Sequence, residues 1–431
     1  MDEVRSWLEL SKKRGMALGL QGTRTVLDRL GLTPKEHIIH VAGSNGKGTL
    51  CALMATTLSL DGRENVLFTS PHVARIEERI RRNGVPISPR EFDEALVKIR
   101  QAATGDVNRS EIELTFFEIT YLVAMIASEG CEVLILETGL GGRLDATRSG
   151  PATASVVTSV SLEHRDILGP DLPSIAREKA AIARPNCPIL IRDPEDDDVR
   201  NAMLDETMNA GNSSLGEPLG SANVSFVNIT SGIGVVDEAV ELATAVFEKI
   251  GFSTGSIRQA KEVLRWPARM HLLSTSETSS HPYLLDAAHN PSGLRRILPE
   301  LEQFITQHAP RNEDGPVWTL LFGTSPQHDL SEMLSPLHEM CRRIPPSHIL
   351  LTLPHGGRYP GVEIEVLLEQ KWLLEKPLTF PSASKAVETL ASYSSKSVGL
   401  VVSLGSLYLQ GNILNCFEWG SDENLSLFAK H

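Results

Sequence analysis

The chain has little of what would place it outside a reducing, aqueous setting. Its 431 residues include five cysteines (Cys51, Cys131, Cys187, Cys341 and Cys416), odd in number, scattered and forming no CxxC pair. That pattern argues against both a disulfide framework and a zinc site. No window approaches ~18 consecutive apolar residues, so no segment is expected to span a membrane. The stretch MDEVRSWLELSKKRG at the N-terminus lacks an apolar core of signal-peptide length, and a cytoplasmic location is expected. Net positive charge is lacking too: the formal charge is -13, from 41 Lys+Arg against 54 Asp+Glu. A non-specific grip on nucleic acid or on an anionic membrane is therefore not expected. An acidic protein that binds anionic ligands must gather its positive charge locally. There is no internal repeat.

What is present is strand and helix in alternation. His37–Ala42 (HIIHVA), Glu132–Glu137 (EVLILE) and Ala154–Val160 (ASVVTSV) are apolar, β-branched runs of the kind buried on both faces of a parallel sheet. Val66–Thr69 reads as a further short strand. Gly48–Leu60, Glu91–Ala102 and Phe116–Ser128 read as helices. From about Asp193 to Ser231 the sequence turns acidic and then rich in Gly, Ser and Asn, and is expected to be loop with one short helix. A polar stretch, Ser274–His281 (STSETSSH), reads as a linker. Beyond it, Tyr283–Leu285, Trp318–Phe322, His348–Leu353 and Val398–Ser403 restart the strand pattern. The economical division is residues 1–273, a linker at 274–281, and residues 282–431, each body an α/β domain.

The strongest local signal is Val41–Thr49, VAGSNGKGT, between an apparent strand and an apparent helix. Glycines let backbone approach phosphate, a helix N-terminus offers free N–H groups, and Lys47 adds a mobile charge. Thr49 is placed for a hydroxyl contact to Mg²⁺. Compared with the common phosphate loop this one is shorter, and Gly48 stands between Lys47 and Thr49. Such a loop indicates a nucleoside triphosphate and leaves the reaction open. Glu137, closing an apolar strand, is where an open α/β sheet presents a catalytic carboxylate; the bland alternative is a strand-end acid facing water.

The shorter GxxGKG[ST] form resembles the Mur ligase superfamily, and its folate branch in particular: folylpolyglutamate synthase and dihydrofolate synthase. Further segments follow in that family's order: Leu18–Leu32, Thr69–His72 (TSPH), Arg75–Gly84 (RIEERIRRNG), Thr115–Glu118 (TFFE) and Glu137–Ala146 (ETGLGGRLDA). Glu178–Ile182 (EKAAI), Trp266–Arg269 (WPAR), Asp286–Pro291 (DAAHNP) and Gly405–Gly411 (GSLYLQG) complete the set. The resemblance implies an N-terminal P-loop-type, open parallel-sheet ATPase domain and a smaller C-terminal Rossmann-like α/β domain. It implies an ATP-dependent ligase that adds L-glutamate to dihydropteroate, a (tetrahydro)folate or both through an acyl phosphate, acting as a monomer on small molecules, with Mg²⁺, and it leaves room for a monovalent cation such as K⁺.

Residue by residue, the resemblance assigns ATP binding to Ser44, Asn45, Gly46, Lys47, Gly48 and Thr49, and from the second domain to Arg269, Asp286 and His289. It assigns the metal to Ser70, Glu137 and His164, with Thr49 near the nucleotide-bound ion. It assigns the acceptor to Thr115, Phe117, Glu118, Leu144, Asp145 and Ala146, although Phe116 and Phe117 also suit a helix core. Lys179 matches a lysine that the family carbamylates; otherwise it is an ordinary helix lysine paired with Glu178. The family form also implies ATP held at the junction of the two domains. The arginines Arg75, Arg79, Arg81 and Arg82 read as a solvated face.

Some positions depart from the family pattern. Glu163 stands for an Asp, Ala181, Ala268 and Ala287 for glycines, Glu238 for a nucleotide-contacting Asn, and His328 for a Lys. An added methyl is tolerable unless the backbone needs positive φ, and a carboxylate cannot donate the amide's hydrogen bond. Two other readings therefore stay open: a Mur-type amide ligase with a different acceptor or amino acid, and a nucleotide-binding relative without turnover.

Overall fold

The computed structural model describes residues 2–15, 19–33, 35–105, 111–212, 215–357, 360–370, 372 and 377–429; Leu18 lies outside them. The chain divides into two compact units: Met1–His72 with Ile76–Leu264 and Ser426–His431, and Val73–Arg75 with Arg265–Leu425.

In the first unit, strands β1 (His37–Ala42), β2 (Asn65–Phe68), β3 (Ile80–Arg82), β4 (Val85–Pro86), β5 (Val133–Glu137), β6 (Ala154–Val157), β7 (Pro188–Arg192) and β8 (Asn223–Val227) form one sheet. Its order is β4-β3-β2-β5-β1-β6-β7-β8. From β2 to β8 every pairing is parallel, and β3 and β4 add an antiparallel edge. Connections over both faces are helical: α1 (Asp2–Ser11), α2 (Gln21–Leu30), α3 (Lys47–Leu60), α4 (Pro89–Thr104), α5 (Phe116–Ala127), α6 (Arg165–Leu168), α7 (Leu172–Ala180), α8 (Asp197–Met208), α9 (Val235–Ile250) and α10 (Ile257–Val263). The central strands are buried along almost their whole length, which is why their sequences are continuous apolar runs without alternation. Chain order reverses about β1, whose neighbours are β5 and β6; such a switch point leaves a crevice at the C-terminal strand ends.

The second unit repeats the principle with β9 (His271–Leu273), β10 (Tyr283–Leu285), a small hairpin of β11 (Arg311–Asn312) and β12 (Gly315–Pro316), then β13 (Trp318–Phe322), β14 (His348–Thr352), β15 (Leu378–Phe380) and β16 (Leu400–Leu404). The main sheet runs β15-β14-β13-β16-β10-β9, parallel except for β9. Helices including α11 (Thr275–Thr278), α12 (Pro291–His308) and α13 (Leu330–Arg343) follow its strands. Trp318, Leu320 and Phe322 fill one face of this sheet, and Leu321, Val401 and Leu409 the other.

Three expectations change. The break between units falls at Leu264/Arg265, and residues 274–281 are no linker: Ser274 and Glu277 form a capping box that starts α11, the turn joining β9 to β10 within one sheet. The stretch expected to be mostly loop contains the twelve-residue α8 and the edge strand β8, whose Asn and Ser side chains suit a half-exposed edge. The arginine run is a solvated face only in part: Arg82 is exposed and Arg75 half-buried. Arg79 and Arg81 are buried, Arg81 donating to the Glu78 carbonyl, while Arg79 Nε donates to His72 Nδ1 at 2.8 Å and its guanidinium lies 5.0 Å from the Phe116 ring centre.

Candidate active site

The phosphate loop is built at the end of β1. Gly43 has φ +147, and a Cβ there would stand 1.8 Å from the Thr158 hydroxyl, so only glycine fits. Gly46, at φ +84, caps α3 without a side chain, leaving the first-turn N–H groups of that helix to an outside acceptor. The loop is anchored to the segment after β6: Ser44 N donates to Ser159 O (2.7 Å), Ser161 N to Ser44 Oγ (3.0 Å), and Thr158 Oγ1 to Asn45 O (2.8 Å). Lys47 Nζ folds back onto the carbonyls of Gly43 (2.8 Å) and Ser44 (3.4 Å). Gly48 and the buried Thr49 lie in the first turn of α3.

Glu137, Ser70, His164 and Lys179 come to the same rim. Glu137 ends β5 opposite Val41, two residues before the glycine turn, and its Oε2 accepts the Ser70 N–H at 3.0 Å. Burial pushes the Cys51 thiol of α3 up, with nearby Glu137 adding to the effect and Lys47 opposing it. His164 follows β6 with φ +44, a left-handed conformation that a non-glycine residue holds only at a cost. Burial, assisted by the nearby Lys179 and Lys47 and opposed by Glu163, lowers its pKa and keeps the imidazole neutral, the form that ligates metal.

Lys179 is almost fully buried, and its Nζ pairs with Glu163 Oε1 at 2.6 Å, not with Glu178. Burial lowers its pKa, with Lys47 adding to the effect and Glu163 opposing it. Burial works against ionisation of Glu163, but Lys179, Lys47 and His164 together hold its carboxyl below the usual range. Among the described residues no group of three or more His, Cys, Asp or Glu gathers around a point. The donors that the resemblance assigns to a metal are the Glu137 carboxylate, the His164 imidazole and the hydroxyls of Ser70 and Thr49. The three oxygen donors among them are of the kind that suits a hard cation keeping several waters.

The residues expected to hold the acceptor are also gathered, and several are engaged within the protein. Phe117 packs beside Gly139, where a Cβ would meet its ring at 2.7 Å, and its ring centre is 5.7 Å from that of Phe68. Asp145 Oδ2 accepts the N–H groups of Gly139 (2.8 Å) and Leu140 (2.9 Å), and Oδ1 accepts the N–H (3.1 Å) and the hydroxyl (2.5 Å) of Thr147. Its carboxylate therefore shapes the loop after β5. Glu118 is likewise engaged: Oε2 caps Thr115 N (2.7 Å) and Oγ1 (2.8 Å), and Oε1 accepts from Thr23 (2.6 Å). What remains facing outward is apolar, with Leu144 exposed and Phe117 half-buried, while Ala146 is buried beneath.

In the second unit, Asp286 is buried at the end of β10 and its two oxygens accept Met270 N (2.9 Å) and Ala288 N (2.8 Å), tying the WPAR turn to the DAAHN loop. Burial raises its pKa, while Arg269 pulls it down. Arg269 and Asp286 are thus electrostatic neighbours, and His289 Nδ1 lies 2.8 Å from Ala287 O. Ala268 stands at φ +59, so the residue replacing glycine here does sit where the backbone needs positive φ; Ala287 does not. The carboxylate of Glu238, on α9, is met by Arg192 Nε at 2.9 Å. That cation offsets the charge that set Glu238 apart in the sequence.

The sequence gives no sign of Thr158, Ser159 and Ser161, which hold the phosphate loop. It marks Glu163 only as a residue standing for an Asp beside His164, not as the partner of Lys179.

No family model matches the chain. The dihydrofolate synthase/folylpolyglutamate synthase of Escherichia coli is 40% identical over 193 residues, 44% of each chain, so the match spans less than half of that relative's length. The Bacillus subtilis protein of the same name is 30% identical over 331 residues, covering 70% of this chain and 76% of its own. The crystal structure of a bifunctional folylpolyglutamate synthase/dihydrofolate synthase with Mn, AMPPNP and L-glutamate bound is similar over 96% of this chain and 98% of its own, at 26% identity and a TM-score of 0.76. Similarity of this extent makes the chain a member of the dihydrofolate synthase/folylpolyglutamate synthase family.

Proposed function

We propose that the protein is an ATP-dependent ligase that joins L-glutamate to dihydropteroate, to a (tetrahydro)folate, or to both. The observation that carries this reading is the convergence of the Lys47 loop, Glu137, His164 and the Glu163–Lys179 pair on three adjacent strand ends, β5, β1 and β6. The relative solved with AMPPNP, Mn and L-glutamate supports it.

A carboxylate oxygen of the acceptor attacks the γ-phosphorus of ATP, and ADP leaves. The amine of glutamate then attacks the acyl carbon, phosphate leaves, and the amine proton passes to a base or to solvent. Phosphoryl transfer needs positioning and charge neutralisation more than covalent help. The α3 N-terminus and Lys47, released from the Gly43 carbonyl, hold the phosphates. Thr49, Ser70, Glu137 and His164 would hold a divalent ion that would neutralise phosphate charge, and its three oxygen donors favour Mg²⁺. Lys179 in its unmodified state is an ammonium paired with Glu163; as a carbamate it would put two anions side by side and need a cation between them. Arg269, Asp286 and His289 are assigned to the nucleotide from the second unit. The acceptor's ring system is assigned to Phe117, Leu144 and Ala146, with Thr115, Glu118 and Asp145 fixing those surfaces. Five free cysteines agree with the cytoplasm as the location, and no helix of the described residues is long and apolar enough to cross a membrane.

The test is phosphate release with ATP, Mg²⁺ and glutamate, comparing dihydropteroate, tetrahydrofolate and no acceptor. Release that depends on dihydropteroate shows first-glutamate addition, and release with tetrahydrofolate shows extension. ATP binding with no acceptor-dependent release would overturn the folate assignment.

A further inference from the structure

The loop that carries Leu144, Asp145 and Ala146 has an arginine on either side, and both are gripped by one segment. Arg143 Nε bonds Glu178 Oε1 at 2.7 Å, and its two terminal nitrogens bond the two oxygens of Glu206, on α8, at 2.8 Å each. Arg148, 1% exposed, donates Nε to Ala181 O (3.1 Å) and its two terminal nitrogens to the two oxygens of Glu217 (3.0 and 2.7 Å), in the connection from α8 to β8. Arg184 stands beside them: Nη2 donates to the carbonyls of Arg148 (3.3 Å) and Gly150 (2.9 Å), and Nε lies 3.6 Å from Glu217. Burial and the Arg148 guanidinium draw Arg184 down to about 9. Two buried guanidiniums therefore face a single carboxylate, and Glu217 is the group that lets both stay.

The same contacts tie the loop to the helix of Lys179. Arg143 N donates to Glu178 O at 3.1 Å, and Gly142 has no room for a Cβ between the carbonyls of Glu178 and Lys179. Thr147, between Asp145 and Arg148, is 2.7 Å from the buried His40 of β1, so the register of Arg148 is passed to Asp145 and to the central strand.

We infer that Glu217 and Glu206 are positioning residues for the acceptor: through bidentate pairs with Arg148 and Arg143 they hold residues 143–148 against α7 and so set the distance between the acceptor surface and the Lys179 end of the site. Neither is among the residues assigned to a ligand. The segment from α8 to β8, with no chemistry of its own, thereby serves as the brace of the acceptor loop. The inference rests on the ligase reading only for its kinetic consequence.

The test uses the full chain with Glu217→Gln and, because the Arg143 pair is the more exposed and its loss threatens folding less, Glu206→Gln. In both, KM for the pteroate-type acceptor rises at least about five-fold, while the affinity for AMPPNP, measured by calorimetry, stays within about two-fold; Glu217→Asp restores part of the loss. Hydrogen exchange supplies a readout that needs no activity: amides of 143–150 exchange faster in each variant, and those of the phosphate loop, 43–49, do not. Unchanged exchange at 143–150 overturns the brace. A faster exchange spread evenly over the unit, or equal losses of acceptor and nucleotide affinity, also overturns it by reducing Glu217 to general stability. If the wild-type chain releases no phosphate with any pteroate acceptor, the ligase reading fails, while the exchange result still decides the brace.

Discussion

Gly142→Ala isolates the fit between the acceptor loop and the helix of Lys179. Gly142 does not occupy the left-handed region, so alanine meets no backbone objection there. The objection is steric. A Cβ would stand 2.6 Å from Glu178 O and 3.0 Å from Lys179 O, and 2.8 Å from the Ile182 side chain. A carbon and a carbonyl oxygen settle at about 3.3 Å or more, so loop and helix must separate by roughly 0.7 Å. Both obstructing oxygens belong to backbone, which cannot swing aside as a side chain can. Overpacking of this kind destabilises by about 1–3 kcal/mol, or a fall in Tm of roughly 2–10 °C for a unit of this size. Displacement on the scale of an ångström lowers a positioned reaction by up to about 100-fold. We expect kcat/KM for the acceptor to fall about 10- to 100-fold, with AMPPNP affinity unchanged, because the phosphate loop hangs on β1, α3 and residues 158–161. Scanning calorimetry, calorimetric nucleotide titration and phosphate release measure the three quantities. A variant with wild-type Tm and wild-type acceptor kinetics would refute the reasoning.

Three further outcomes are expected. Lys47→Met removes a charged donor worth about 1.5–3 kcal/mol to a phosphate; ADP affinity by calorimetry falls about 10- to 100-fold, while Tm, with only the Gly43 and Ser44 carbonyls losing a partner, hardly moves. Ala268→Gly relieves about 1–2 kcal/mol of left-handed strain, but it gives up a buried methyl worth about 0.8 kcal/mol and frees the unfolded chain by about 0.4–1 kcal/mol. Urea unfolding should therefore place it within about 1 kcal/mol of wild type, whereas Ala268→Val loses clearly more. His271, packed on Trp419, is drawn by burial down to about 4, with Glu277 opposing and Arg265 assisting. Its folded pKa lies below the unfolded value, so its contribution is intact above about pH 6.5 and is lost as pH falls from there toward 4, up to about 3 kcal/mol. The urea midpoint of the second unit should drop across that window, and His271→Gln should flatten the slope; equal slopes would refute the assignment.

Much of this was readable from residues because the central strands and the phosphate loop obey local rules. A β-branched run buried on both faces has few alternatives, and a glycine turn before a helix with Lys47 has one obvious use. What escaped depends on partners distant in sequence. Glu178 was the natural candidate to pair with Lys179, yet neighbours on a helix point about 100° apart and do not meet; the partner is Glu163, on the preceding connection. Glu118 is also held from afar, its Oε1 accepting the hydroxyl of Thr23 on α2. Arg81 looked like surface and is buried, since a guanidinium enters a core wherever carbonyls are waiting, which no local pattern reports. The capping box that begins at Ser274 was legible as S-x-x-E and was missed under its polar composition.

The way the chain is shared between its units has a consequence for anyone who would cut it. Residues 73–75 belong to the second unit, where Val73 joins two apolar clusters and its carbonyl lies where a Cβ on Gly411 would go. Residues from Ser426 onward belong to the first, where Leu427 N donates to Gly84 O at 2.9 Å and is buried, and Phe428 covers Gly84. A cloning boundary at residue 264 would therefore yield two fragments, each missing a packed piece left on the other. Neither unit can be expressed whole as one uninterrupted segment, and a stability measured on either fragment would report the missing piece as much as the domain.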